Sequence, residues 1–75
     1  MNDAAMPNTL PKVGSIVYWW EGSGFGPTAA IVTRANGALV SLVKFFEHVS
    51  TPQLSSEVPY SPVPRTHHWT WPNEF

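Results

Sequence analysis

Five large aromatic side chains carry most of the chemistry this sequence can do: Trp19, Trp20, Tyr60, Trp69 and Trp71. An indole or a phenol presents a flat face on which a nucleobase can stack, worth roughly 1–3 kcal/mol per base. Arg34, Arg65 or Lys44 can hold a phosphate beside such a platform through charge-assisted hydrogen bonds. His67 adds a ring suited to hydrogen bonding at an interface. The competing role for these rings is to fill a small core, and for Trp69 and Trp71 the two roles stand level. Trp19 and Trp20 differ, because neighbours on a strand point to opposite faces. One of that pair is expected to leave the core of its own chain. The candidate ligand-binding set is therefore Trp19, Trp20, Arg34, Tyr60, Arg65, His67, Trp69 and Trp71.

Other chemistries find less support. The chain has no Cys, and its glutamates are scattered at Glu21, Glu47, Glu57 and Glu74. No Ser or Thr sits in a nucleophile motif such as G-x-S-x-G. Gly22-Ser23-Gly24-Phe25-Gly26 shares only its glycine content with a phosphate loop, lacking the Lys and a following helix. His48, His67 and His68 suggest a metal site at first sight. Adjacent strand histidines face opposite ways, however, and no neighbouring carboxylate completes a ligand set. No catalytic residue, metal or cofactor is expected, and the chain reads as a binding protein rather than an enzyme.

The totals narrow the partners. Lys and Arg number four against five Asp and Glu, and only 12% of residues are charged, about half the usual share. A duplex-binding surface needs several cations to neutralise phosphates, so extended nucleic acid is not an expected partner. One or two cations suffice for a small anion. The 75 residues make one domain near the lower limit for folding without staples. Low charge and surplus aromatics then point to a surface buried by self-association. The first residues carry no basic, apolar leader, and no apolar run approaches the roughly 20 residues that span a bilayer. A soluble cytoplasmic protein with no membrane partner is expected.

These side chains must be positioned by short strands. Residues 1–11, punctuated by Pro7 and Pro11, read as a flexible arm ahead of a single small β domain over 12–75. Val13 to Trp20 is rich in β-branched and aromatic residues and predicts a strand. Glu21 to Pro27 is a glycine-rich loop. Asn36-Gly37 predicts a two-residue type I′ turn between Ala29–Arg34 and Leu39–Phe46. That turn sets Arg34 opposite Leu39 and Ile31 opposite Leu42, placing Ile31, Val40, Leu42 and Phe46 on one face. Glu47 to Glu57 reads as a polar loop or helical turn. Three prolines between Val58 and Pro64 confine that stretch to an extended or edge conformation. His67 to Trp71 forms a last short strand, with His67, Trp69 and Trp71 on one side. No segment has a 3.6-residue period. The expected fold is all-β: a small SH3-like barrel or curved antiparallel sheet of four to five short strands, with no sizeable helix.

The order Val13-Gly14-x-Ile16-Val17, Ala29-Ala30-Ile31-Val32-Thr33, Val40-Ser41-Leu42, Val58-Pro59-Tyr60 and Thr70-Trp71-Pro72 resembles a family of small phage- and prophage-encoded proteins. Thr70 stands where that family has a His between two tryptophans, and His68 is displaced by two positions. The resemblance spans most of residues 13–72 and implies a phage origin, but supplies no function. The leading expectation joins this to the residues: a non-enzymatic, self-associating module that captures a small anionic ligand, such as a nucleotide signal of host anti-phage defence. Two alternatives use the same aromatics as interface anchors. One is a minor virion or assembly protein; the other is an inhibitor that docks on a host protein.

Overall fold

The computed structural model describes residues 7, 9–22 and 25–74. Five strands form one open, curved antiparallel sheet: β1 (Ile16–Trp20), β2 (Pro27–Asn36), β3 (Leu39–Lys44), β4 (Gln53–Val58) and β5 (Trp69–Thr70), in the order β4-β3-β2-β1-β5. A 3-10 turn over Pro72–Glu74 follows. The fold is therefore all-β, in the curved-sheet form of the expectation. Among the described residues no helix is long and apolar enough to cross a membrane.

The concave face is the core. Val17 and Trp19 of β1, Ala30 and Val32 of β2, Val40 and Leu42 of β3, Val58, Tyr60 and Trp69 form one buried cluster. Alternation on each strand explains the set, since every second residue faces inward. Trp69 is fully buried, and its indole Nε1 donates to the Ala38 carbonyl at 2.8 Å. Truncating a ring packed that way costs about 3–5 kcal/mol.

Several boundaries depart from the sequence reading. β1 starts at Ile16, because Val13-Gly14 forms a turn in which Gly14 has φ of 93°. The β2–β3 hairpin forms, but one residue further along than Asn-Gly chemistry predicts. Gly37 and Ala38 occupy the turn, and Asn36 pairs with Leu39, Ala35 with Val40 and Arg34 with Ser41. Gly37 has φ of 62° while Ala38 does not share a positive φ, so the turn is of the Gly-first type II′ class rather than I′. Moving the turn by one residue shifts the pairing by two and by itself keeps each face; the extra residue at Thr33 then shifts it by one, which moves side chains to the other face. Val32, not Ile31, joins Val40 and Leu42 inside.

A second correction concerns 47–57. Its polar half, Gln53–Val58, is a strand. Gln53, Leu54, Ser56 and Glu57 are exposed, so no apolar alternation marks the strand in the sequence. Two bulges then bend the sheet beside the same stretch of β3. Thr33 is the extra residue between the Val32–Leu42 and Arg34–Ser41 pairs. Ser56 and Glu57 together face Ser41 between the Val40–Val58 and Leu42–Ser55 pairs. Bulges on both sides of one strand add local twist and curvature.

The curved sheet brings its two edges together. Two residues past β4, Tyr60 forms a single parallel bridge with Trp69 of β5. The Trp69 N–H donates to the Pro59 carbonyl and the Ser61 N–H to the Trp69 carbonyl, both at 3.0 Å. Val58 to Ser61 thus takes the extended edge role expected of Val58 to Pro64, while Pro62 and Val63 form a bend closed by the Ser61 hydroxyl on the Val63 carbonyl at 2.6 Å. Of the expected N-terminal arm, residues 1–6 and 8 lie outside the described residues, as do positions 23 and 24 of the glycine-rich loop. Pro7 and Pro11 are buried, and the Thr9 carbonyl accepts a hydrogen bond from the Trp71 indole at 3.0 Å.

Candidate functional site

The side chain that organises the site is Lys44. Alternation from Val40 through Leu42 carries it onto the concave face at the end of β3, where it is only 9% exposed. Its aliphatic stem can cover the core while the ammonium reaches the margin, the usual compromise for a lysine at such a place. The Nζ lies 4.1 Å from the centroid of the Trp19 ring and 5.5 Å from that of Phe46. Burial pushes its pKa below the usual value, and the charge of Glu21 partly opposes this. A cation over an indole gains about 0.5–2 kcal/mol.

Trp19 is the second component. β1 lies between β2 and β5, so Trp19 is held between Thr28 and Trp69 on its two neighbours. Phe46 meets its ring edge-on at 5.8 Å. His67 stacks on it with ring centroids 5.5 Å apart and an interplanar angle of 20°. His67 is exposed and owes its position to the backbone: its φ is 60°, and its N–H donates to the Trp20 carbonyl at 2.7 Å. That conformation takes it out of the simple alternation with Trp69 and Trp71 expected for a continuous strand.

Lys44, Trp19 and His67 line one groove with Ser55, Ser56, Glu57 and Val58, enclosing about 330 Å³. Glu57 has φ of 55°, and it and His67 are the only non-glycine residues with positive φ among those described. Both border this groove. Each such conformation costs of order 1–3 kcal/mol, and such strain clusters at sites where ligands are held. The groove combines one cation, one exposed ring, two hydroxyls and one carboxylate; Trp19 is 5% exposed beneath Lys44 and His67 and backs the site rather than opening onto it. Chemically it can hold a small planar group against His67 and an anionic head at the ammonium.

The remaining expected site residues are distributed elsewhere. Trp20 lies on the convex side, yet is only 8% exposed. Its Nε1 donates to the buried Thr70 hydroxyl at 3.0 Å, and Tyr18 meets it edge-on at 6.4 Å. The expectation that one of the tryptophan pair leaves the core is met in direction, but not in exposure. Tyr60, Trp69 and Trp71 form a ring cluster, with Tyr60–Trp69 centroids at 4.9 Å and Trp69–Trp71 at 5.3 Å. Trp69 has no accessible face there, and only Trp71 is partly exposed. Arg34 lines a separate groove of about 320 Å³ with Asn36, Leu39, Val40 and Ser41, bordered also by Ser56 and Glu57. Arg65 is exposed, and its carbonyl accepts from the His68 N–H at 3.1 Å.

The structure therefore joins Trp19 and His67 of the expected set with Lys44, one of the three cations the sequence offered, and places Arg34 and Arg65 outside this groove. The signal for Lys44 lay in its spacing: it is two residues past Leu42 and four past Val40 on one strand. Among the described residues no group of three or more His, Cys, Asp or Glu is arranged to hold a metal ion. His48 lies in another depression, with Glu21, Phe25, Phe45, Phe46 and Glu47. No family model matches the chain, and no curated protein or solved structure matches it either.

Proposed function

We propose that this protein is a non-enzymatic binding module of phage origin that self-associates and captures a small anionic ligand with a flat ring, a nucleotide signal of host defence being the type of molecule meant. The observation that carries the reading is the Lys44 ammonium: it sits over Trp19, and among the described residues no carboxylate is in ion-pair contact with it. A partly buried cation at the margin of the core, with only the more distant charge of Glu21 opposing its burial, leaves room for an anionic ligand to take up its charge. His67, stacked on the same indole, extends the platform for a nucleobase. One cation suits one anionic head, in keeping with a chain too poor in charge for extended nucleic acid.

Thermal melting against mono-, di- and cyclic nucleotides, followed by Trp fluorescence, tests this directly. A nucleotide at about 100 times its Kd should stabilise the fold by about 2.7 kcal/mol, several degrees in a domain of this size. Lys44→Met should abolish the shift. Glu57→Gln should enlarge it, because it removes a like charge from the groove. A panel flat for every nucleotide class, or a shift that survives Lys44→Met, overturns the reading.

A further inference from the structure

A second depression, of about 380 Å³, opens at the end of the sheet where β1 and β3 finish and β2 begins. Glu21 follows β1, Phe25 comes from the loop, and Pro27, Thr28 and Ala29 open β2. The Phe45 N–H donates to the Ala29 carbonyl at 3.0 Å, which carries the β2–β3 ladder one residue past Lys44. The Val49 N–H then donates to the Phe46 carbonyl at 3.2 Å, closing a turn that presents Glu47 and His48. Phe46 meets Trp19 edge-on at 5.8 Å, so one wall is fixed by the core. None of the residues around the Lys44 groove lines this depression.

Two features single it out. Phe25 is 64% exposed and Phe45 45%, and among the described residues no other Phe, Tyr or Trp is exposed. Exposed aromatic rings gathered at one place mark a contact surface, since aromatic anchors dominate protein interfaces. Charge is the other feature: Glu21 and Glu47 line the depression, and no Lys or Arg does. Phosphates and anionic lipid surfaces are repelled by such a lining. A metal ion does not fit either. Glu21, Glu47 and His48 are ligand types, yet among the described residues no three such groups are arranged to hold one. The carboxylates call for a cation that is broad rather than point-like, and the rings for one that tolerates apolar neighbours. A guanidinium meets both demands, because it is planar, weakly hydrated, stacks on aromatic faces and offers its donors in a fork.

We infer that this depression receives an arginine of another protein, its guanidinium lying against the Phe rings and donating to Glu21 and Glu47. Apolar residues beside that arginine cover Phe25 and Phe45, a contact that a lone guanidinium compound does not make. A cation over a ring gains more as water is excluded, and charge-assisted bonds to two carboxylates fix its orientation. The site lies outside the anion groove and does not depend on the capture role proposed above. Lys44, whose ammonium feels the charge of Glu21, lines the other groove.

Amide chemical-shift titration of the full chain with the capped peptide acetyl-Leu-Arg-Leu-amide tests this. The expected result is saturable shifts at Ala29, Glu47 and His48, with a Kd of about 1 mM or below. Replacing the peptide's arginine by citrulline, which keeps the shape but not the charge, should weaken binding about tenfold. Glu47→Gln and Phe25→Ala in the protein should each weaken it in the same direction. Both positions are exposed, so the core is spared, and an unchanged amide spectrum elsewhere verifies the fold. N-acetylarginine methylamide should bind more weakly than the peptide, because it leaves the rings bare. Equal affinity for the two would make any guanidinium compound the ligand and overturns the protein partner. No saturation up to about 10 mM, equal binding of the citrulline peptide, or shifts centred on the Lys44 groove each overturn the inference. So does a sedimentation coefficient that differs between wild type and Glu47→Gln, which would make an arginine of a second copy the occupant. The nucleotide melting test reads the Lys44 groove separately, so either proposal can fail alone.

Discussion

In the proposed role, Lys44 would trade stability against binding. Its folded-state pKa is lowered from the usual 10.5, first by burial, with Glu21 pulling the other way. Between the lowered value and 10.5 the unfolded chain holds more protons than the folded one, so stability rises with pH across that window. Below the window the cost of burying the ammonium is present in full. Lys44→Met removes that cost and sets a thioether against Trp19 in place of the cation–π contact, so it should melt above the wild type near neutral pH. The advantage over the wild type should shrink as the pH climbs toward 10. Melting curves of the two proteins at several pH values check the sign, and a methionine variant less stable at neutral pH would contradict it. Anion affinity should move oppositely, falling as the ammonium discharges.

Within the strands, local chemistry decided some features and failed for others. The hairpin was legible because Asn36-Gly37 separates two β-branched runs. Its register was not, because Gly37 can take positive φ in either frame, and the frame is chosen by which side chains reach the core. The inward demand of Val32, Val40 and Leu42, together with the extra residue at Thr33, settles it. β4 carries no apolar signature, since Gln53 and Ser55, opposite the inward-facing Lys44 and Leu42, are polar while the apolar Leu54 faces outward, and only pairing with β3 makes it a strand. Trp19 and His67 were legible as candidates by residue type. Their meeting across 48 positions depends on β5 lying beside β1. A Cβ at Gly37 would meet nothing within 4 Å, although φ there is 62°. Gly37→Ala should therefore destabilise by about 1 kcal/mol through the backbone alone. Urea denaturation should show a lower midpoint at constant slope, and a neutral result would mean that the turn can shift to the frame with Asn36 at its centre.

Taken whole, the molecule is a sheet closed by one bridge. Tyr60 and Trp69 hold its two margins together, and a strand of only two residues covers the outer side of β1. Contacts so distant in sequence form late and slowly in folding. The segment that makes the closure also delivers His67 to the Lys44 groove, with its N–H on Trp20. A molecule resting on His67 would consequently act as a latch: while it is bound, residues 67–70 cannot swing away without giving up its contacts. Occupancy should slow hydrogen exchange at the amides of Ser61, His67 and Trp69 far more than at the β2–β3 hairpin, and exchange mass spectrometry with and without a stabilising nucleotide would read this out. In the capture role proposed here, one weak seam would set how long a ligand stays, since its escape and the opening of the fold become the same event.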